Sequence, residues 1–342
     1  GRMMQKGALN PSRPTLAIGP MSPEIVEAVF YYSNFFRTPL MLIASKNQVD
    51  YAGGYVNGWT TREYMSFIAG MRKLYPQASV KICRDHCGPG FNGNHDIKDV
   101  YKTIDEDIKT GFDLIHIDFC KHKGSTEEKL KEAKKAIQYC LKKNPKIELE
   151  IGTDENQGTN YSLPNLKEWE REIDFFQKFS KPTYYVVQTG SLVMEINQAG
   201  NFNKSFTATV SKLLKSKGLK LKEHNADYLT KEEINDRVGL VDAMNIAPQL
   251  GVVQTMTVLN KCLIYGVRFD DFIEEVYQGG KWKKWLDKNG PENKMLCSII
   301  AGHYHFNSKA YKDIVRQLYE RENINETITS AIVSVIEHYV KE

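Results

Sequence analysis

The chain has 342 residues, of which 41% are hydrophobic, 26% charged and 11% aromatic, a globular composition that excludes collagen-like and disordered classes. No stretch approaches the roughly 18 uncharged apolar residues needed to span a bilayer, so no membrane association is expected. Its 46 basic and 42 acidic residues leave a net charge of +4, with the lysines spread over polar helical segments, and no nucleic-acid partner is expected.

Six cysteines, none in a CxxC pair, indicate reduced thiols and a cytoplasmic location. Gly1-Arg2 ahead of Met3 reads as a vector-derived tag, and residues 1–14 as an N-terminal arm without a signal-peptide core.

From there, short apolar or β-branched runs alternate with longer segments of helical period. The runs are 15–18, 40–44, 80–84, 114–118, 147–151, 184–188, 219–223 and 242–246. The first intervening helix, 22–36, opens with Ser22, Pro23 and Glu24, a capping residue followed by proline at the first helical position. The second, 61–74, carries Tyr64, Phe67, Ile68 and Met71 on one stripe. Helices at 97–109, 126–143, 166–179, 206–216, 231–238 and 249–265 continue the series. Eight strand–helix units within about 250 residues predict an α/β fold, a TIM (βα)8 barrel over 15–268, rather than an open sheet with a dinucleotide fingerprint. Helices at 271–285, 310–319 and 324–340 predict a C-terminal helical extension, 269–342, packed on the barrel.

In barrel enzymes the catalytic groups project from the C-terminal strand ends. Here those ends turn polar together: Ser45, Asn47 and Gln48 after the second strand, Arg84, Asp85 and His86 after the third, then Asp118, Glu150, Gln188, His224 with Asn225 and Asp227, and Asn245. A neutral imidazole at such an end can hold a divalent cation, and His86 and His224 are the candidate ligands. His116, inside the fourth strand, reads as a packed barrel residue, and His122 and His338 as surface residues.

This set suits proton removal beside a ketone, because a divalent metal can polarise the carbonyl and stabilise the enolate. Asp85 would serve as acid/base, with Glu150 a second catalytic carboxylate and Asp118 and Glu150 able to orient ligands or take a second cation. A Schiff-base route would need a lysine near the barrel centre, and neither Lys46 nor Lys81 has a context that lowers its pKa.

Several segments resemble the non-catalytic, or accessory, subunit family of D-tagatose-bisphosphate aldolase. Leu42-Ile43-Ala44-Ser45-Lys46-Asn47-Gln48-Val49 with Gly53-Gly54-Tyr55 is similar to its second-strand signature, and Asp85-His86-Cys87-Gly88-Pro89 to its DHLGP. Ile115-His116-Ile117-Asp118, Ile151-Gly152-Thr153, Val186-Val187-Gln188-Thr189-Gly190 and Glu223-His224-Asn225-Ala226-Asp227-Tyr228 follow in the same order.

That family is related to class II, zinc-dependent ketose-bisphosphate aldolases. The resemblance implies a proton-transferring Asp85, metal ligands His86 and His224, and substrate contacts from Asn245 onward. It also implies a phosphorylated sugar substrate, a homo-oligomer and a catalytic class II aldolase subunit as partner.

Two departures stand out. The catalytic enzymes carry a third histidine after strand six, where this chain has Gln188-Thr189-Gly190, and a glycine-serine phosphate cradle where it has Asn225-Ala226-Asp227. Arg84 replaces a small residue and reads as a binder of an anionic substrate. The expected function is metal-dependent aldol cleavage of a ketose (bis)phosphate. The alternatives are an accessory subunit stabilising a tagatose-bisphosphate aldolase and a barrel isomerase or epimerase.

Overall fold

A computed structural model describes residues 12–153 and 166–342. Ten strands are present among the described residues: β1 (Thr15–Ile18), β2 (Leu40–Ala44), β3 (Val80–Cys87), β4 (Leu114–Ile117), β5 (Glu148–Gly152), β6 (Tyr184–Val187), β7 (Val193–Met194), β8 (Asn197–Gln198), β9 (Lys220–Glu223) and β10 (Ala243–Ile246). Eight of them close into a parallel barrel in the order β1-β10-β9-β6-β5-β4-β3-β2, while β7 and β8 form a small antiparallel hairpin. The expected (βα)8 barrel is therefore present, and every expected run is one of its strands.

Helices follow the strands: α1 (Pro23–Phe36), α2 (Thr61–Leu74), α3 (Ile97–Thr110), α4 (Thr126–Lys143), α5 (Leu166–Gln177), α6 (Lys204–Ser216), α7 (Lys231–Arg237) and α8 (Pro248–Tyr265). Ser22 caps α1 by accepting from the Ile25 amide, and Thr60–Glu63, Ser125–Glu128 and Thr230–Glu233 form capping boxes on α2, α4 and α7. Beyond the barrel come α9 (Asp270–Gly279), α10 (Lys294–Ala301), α11 (Lys309–Tyr319) and α12 (Ile324–Val340). Phe272, Tyr311, Ile328 and Ile332 share one buried apolar cluster with Ile18 and Ile25 of the barrel. No helix among the described residues is long and apolar enough to cross a membrane.

Three details differ from the expectation. The helix expected at 271–285 breaks at Gly280, whose φ of 67° ends α9 and starts the 3-10 turn Lys281–Lys284. Helix α10 and the β7–β8 hairpin were too short and too weakly patterned to read. Strand β3 runs on to Cys87, because a register irregularity between Arg84 and Cys87 carries the polar Asp85-His86 pair within the sheet.

The two faces of each strand are chemically distinct. Ala17, Met41, Ile43, Cys83, Leu114, Tyr184 and Ala243 form a separate cluster filling the barrel interior. Their neighbours Leu42, Ile82, Ile115, Leu149, Leu221 and Met244 join the outer core beneath the helices. Alternation then puts Asp85, His116, Glu150, Lys222 and Asn245 on the inner face, one step towards the C-terminal mouth.

Candidate active site

Four strand ends bring side-chain donors together at the mouth. Asp85, His116, Glu150 and His224 each present an atom within 4.8 Å of the other three. His116 Nδ1 lies 3.3 Å from an Asp85 carboxylate oxygen and 3.7 Å from Glu150 Oε1, and His224 Nε2 is 3.5 Å from the same Glu150 oxygen.

The tautomer of His116 follows from its partners. Its Nε2 is 2.8 Å from the carbonyl oxygen of Gly152, which can only accept, so Nε2 bears the proton. Its Nδ1 accepts from the backbone amide of His86 at 3.2 Å, so its single lone pair is engaged within the protein and would reach a cation only by giving up that bond.

His86 takes the left-handed backbone conformation, φ 42°, at the β3 irregularity. Its Nδ1 is 2.8 Å from Asp118 Oδ2, which also accepts from the Thr153 hydroxyl at 2.9 Å. The second oxygen of Asp118 accepts from the Cys120 amide at 3.0 Å. Burial is the largest single effect on Asp118 and opposes its charge, but the bond and charge of His86, the charge of His116 and the Cys120 amide together hold the carboxyl below its ordinary range. For Asp85, burial is again opposed, here by the imidazoles of His86, His224 and His116, and its carboxyl sits well below the usual value. The rings of His86 and His224 meet edge to face with centroids 5.1 Å apart.

Lys222 is the charged residue that the sequence reading overlooked. It is fully buried in the barrel and donates to Glu150 Oε2 at 2.7 Å. Burial opposes the ammonium, but the carboxylate of Glu150 raises its affinity for the proton, which disfavours a Schiff-base role. The same pair lowers Glu150 despite complete burial.

The remaining expected residues divide. Asn245, 8% exposed on the inner face of β10, has a buried Oδ1 with no hydrogen-bond partner among the described residues. Ser45 and Gln48 bond to each other across the β2 turn, the Ser45 amide donating to Gln48 Oε1 at 2.9 Å. Asn47 donates to the carbonyl of Phe91 at 2.9 Å, and Phe91 stacks on His86 with centroids 4.7 Å apart. Gln188 is half-buried at the end of β6 and Asn225 half-buried after β9. Asp227 is buried, and its Oδ1 accepts from the amides of Ala247 and Gln249, both at 2.9 Å.

Arg84 requires a correction. It faces away from the mouth, fully buried between β3 and α3, with Nε and Nη2 each 2.7 Å from Asp107 and Nη1 2.5 Å from the carbonyl of Val49. It is a structural ion pair and not a substrate contact, because residues 83 and 85 own the inner face. His116 is the packed barrel residue expected, fully buried with both ring nitrogens bonded to backbone groups, and it also lies within the donor cluster. Alternation from Leu114 would have pointed it inward. Lys46, one of the lysines weighed for covalent chemistry, is buried between Asp50 and Asp99. His338 is not a free surface residue, since its Nε2 lies 2.7 Å from the carbonyl of Leu229.

The donor set fits a divalent cation. Tetrahedral coordination at about 2.0–2.2 Å separates ligand atoms by about 3.3–3.6 Å, and a mixed nitrogen–oxygen set with two carboxylates suits zinc or a similar ion. The separations from Glu150 Oε1 to His224 Nε2, 3.5 Å, and to His116 Nδ1, 3.7 Å, lie within and just beyond that range. Asp118 behind His86 and Lys222 behind Glu150 are outer partners of the kind that fix ligand orientation. The two expected histidines separate here: His224 joins the four-donor set, whereas His86 groups with His116 and Asp118.

The eight-stranded parallel barrel with a polar, carboxylate- and imidazole-lined mouth is a (βα)8 barrel with its candidate site at the C-terminal strand ends. Residues 3–143 match the model of a family described as D-tagatose-1,6-bisphosphate aldolase subunit GatZ/KbaZ-like, so the resemblance read in the motifs holds over the first four strands. The chain is also similar to a probable tagatose 6 phosphate kinase from Sinorhizobium meliloti 1021, at 17% identity and a TM-score of 0.78, covering 96% of this chain and 99% of that one. The fructose-bisphosphate aldolase of Campylobacter jejuni aligns at 16% identity and a TM-score of 0.63, over 96% and 90% of the two chains. The YdjI aldolase of Escherichia coli K12 aligns at 13% identity and 0.53, over 91% and 93%. At such identities the likeness is one of fold.

Proposed function

We propose that this protein is a divalent-cation-dependent carbon–carbon lyase acting on a ketose phosphate. The observation that carries the reading is the convergence of Asp85, His116, Glu150 and His224 within 4.8 Å at the barrel mouth. His116, His224 and Glu150 would hold the cation, with Lys222 keeping Glu150 ionised and His116 fixed through Gly152. When bound, such a cation supplies Lewis-acid polarisation of the substrate carbonyl. Asp85, still partly open to the mouth, moves the proton to and from the alcohol oxygen of the bond being broken or formed. His86, aligned by Asp118 and stacked on Phe91, orients the substrate beside Asp85.

The test pairs cation analysis with turnover. Zinc or manganese should bind at one equivalent, and Asp85→Asn should abolish aldol cleavage and solvent deuterium exchange while cation binding persists. Unchanged cleavage in Asp85→Asn would refute the assignment.

A second reading is favoured by the match to a subunit family and by Gln188-Thr189-Gly190, where catalytic relatives carry a histidine. In it the chain stabilises a separate catalytic class II aldolase in the cytoplasm. Co-expression with such an aldolase would then raise its thermal midpoint, whereas the lyase reading expects cleavage by this chain alone.

A further inference from the structure

We infer that the substrate end lodged between the loop after β9 and the first turn of α8 carries a hydroxyl, and that Asp227 excludes a phosphate from that place. This rests on the mouth being a sugar-binding active site, and it makes the substrate a ketose with a free hydroxyl at its cation-proximal end, any phosphate lying at the other.

In (βα)8 barrels, phosphate groups commonly sit at the loops after the seventh and eighth strands, held by amides at a helix N-terminus. Strands β9 and β10 occupy those positions here. Helix α8 has no side-chain cap from its own N-cap residue, Ala247. The amides of Ala247 and Gln249 donate instead to Asp227 Oδ1, 2.9 Å away in each case, so the anion position at this helix is already filled from within the chain. Asp227 is 1% exposed and its loop is held from two sides. Gln198 donates to the carbonyls of Asn225 and Asp227 at 2.9 and 2.8 Å, and the Tyr339 hydroxyl donates to the carbonyl of Ala226 at 2.7 Å. The backbone that carries the carboxylate is therefore fixed beside the first turn of α8.

Asn245 supplies an independent observation. Its buried Oδ1, on the inner face of the adjoining strand, has no donor among the described residues. The carboxamide of Asn245 can accept as well as donate, so a substrate hydroxyl, which does both, satisfies it more fully than a phosphate dianion, which only accepts. Both polar groups at this end of the mouth thus favour a hydroxyl over a phosphate, one by charge and one by hydrogen-bond sense.

The experiment titrates the full chain, with zinc present, against dihydroxyacetone and dihydroxyacetone phosphate at pH 8, where the Asp227 carboxyl, pushed up by burial to about 7, is ionised. Wild type should bind dihydroxyacetone at least as tightly as its phosphate. Asp227→Ser, which vacates two amides, and Asp227→Asn, which keeps a capping oxygen without the charge, should each shift the preference towards the phosphate by about tenfold. A wild-type preference for the phosphate overturns the inference alone, as does a preference unmoved in both folded variants. Binding of neither compound to wild type overturns the active-site reading and this inference with it. Should both variants fail to fold, the wild-type ratio decides.

Discussion

Replacing Arg84 by alanine should unfold the protein more easily and should not act through substrate affinity. Both Arg84 and Asp107 are wholly removed from solvent, and two of the guanidinium nitrogens contact the carboxylate at 2.7 Å each. A third nitrogen holds the carbonyls of Val49 and Ala44 at 2.5 and 3.3 Å, and the guanidinium carbon lies 5.2 Å from the centroid of the Phe112 ring. Removing one partner of such a pair leaves a charge buried without compensation, which costs about 3–5 kcal/mol. For a chain of this length the unfolding entropy is about 0.7 kcal/mol/K, so the thermal midpoint should fall by about 4–7 °C. Replacing both partners with apolar groups, as in Arg84→Met with Asp107→Leu, should recover most of that loss, because no orphaned charge remains. Equilibrium urea unfolding of the single and double variants measures the cycle. A single variant as stable as wild type, with a raised KM, would refute the structural assignment and return Arg84 to the substrate.

Other perturbations probe the mouth. In equilibrium dialysis, His116→Gln and His224→Gln should each weaken zinc binding by about tenfold or more, and His86→Gln by less; the reverse order would sink the four-donor assignment. Asp227 has a folded-state pKa of about 7, above its unfolded value, so the stability it contributes is complete below pH 4 and is lost as the pH rises through 7. Asp227→Asn should therefore flatten the urea midpoint between pH 4 and 7, a range over which this carboxyl accounts for up to about 4 kcal/mol. Glu150 has the opposite sign: Lys222 lowers it, so its contribution is present above the ordinary carboxylate range and disappears in acid. Lys222→Met should lower stability at neutral pH and weaken its acid dependence, and an unchanged acid limb would count against the pair.

The barrel was legible because buried parallel strands read as short apolar runs between amphipathic helices, and all eight runs kept to that rule. The site was legible only by type. Polar residues at the strand ends were visible, but reading them as a cluster ignored which face of the strand each occupied. Arg84 sits between Cys83 and Asp85, and alternation alone turns it towards α3. The same count from Leu114 turns His116 inward, where it is packed and also meets the donor cluster, and from Leu221 turns Lys222 inward beside Glu150. The extension of β3 through Asp85 and His86 could not be foreseen from composition, since its cause is a backbone irregularity with His86 at positive φ. Asp227 was read as part of a segment standing in place of a phosphate cradle. Its capping of α8 needed the distance between two segments some 20 residues apart.

Tyr339 carries one more implication. Its hydroxyl ties Ala226, Leu229 and Gln249 together, and His338 beside it holds the carbonyl of Leu229, so the loop behind His224 is completed by residues more than 100 positions later in the chain. During synthesis on the ribosome, the eight strands can emerge and close while this loop still lacks its fastening. Competence would then be acquired late, after helix α12 docks, and a ribosome stalled before residue 338 would carry a barrel whose mouth is assembled on every side but one.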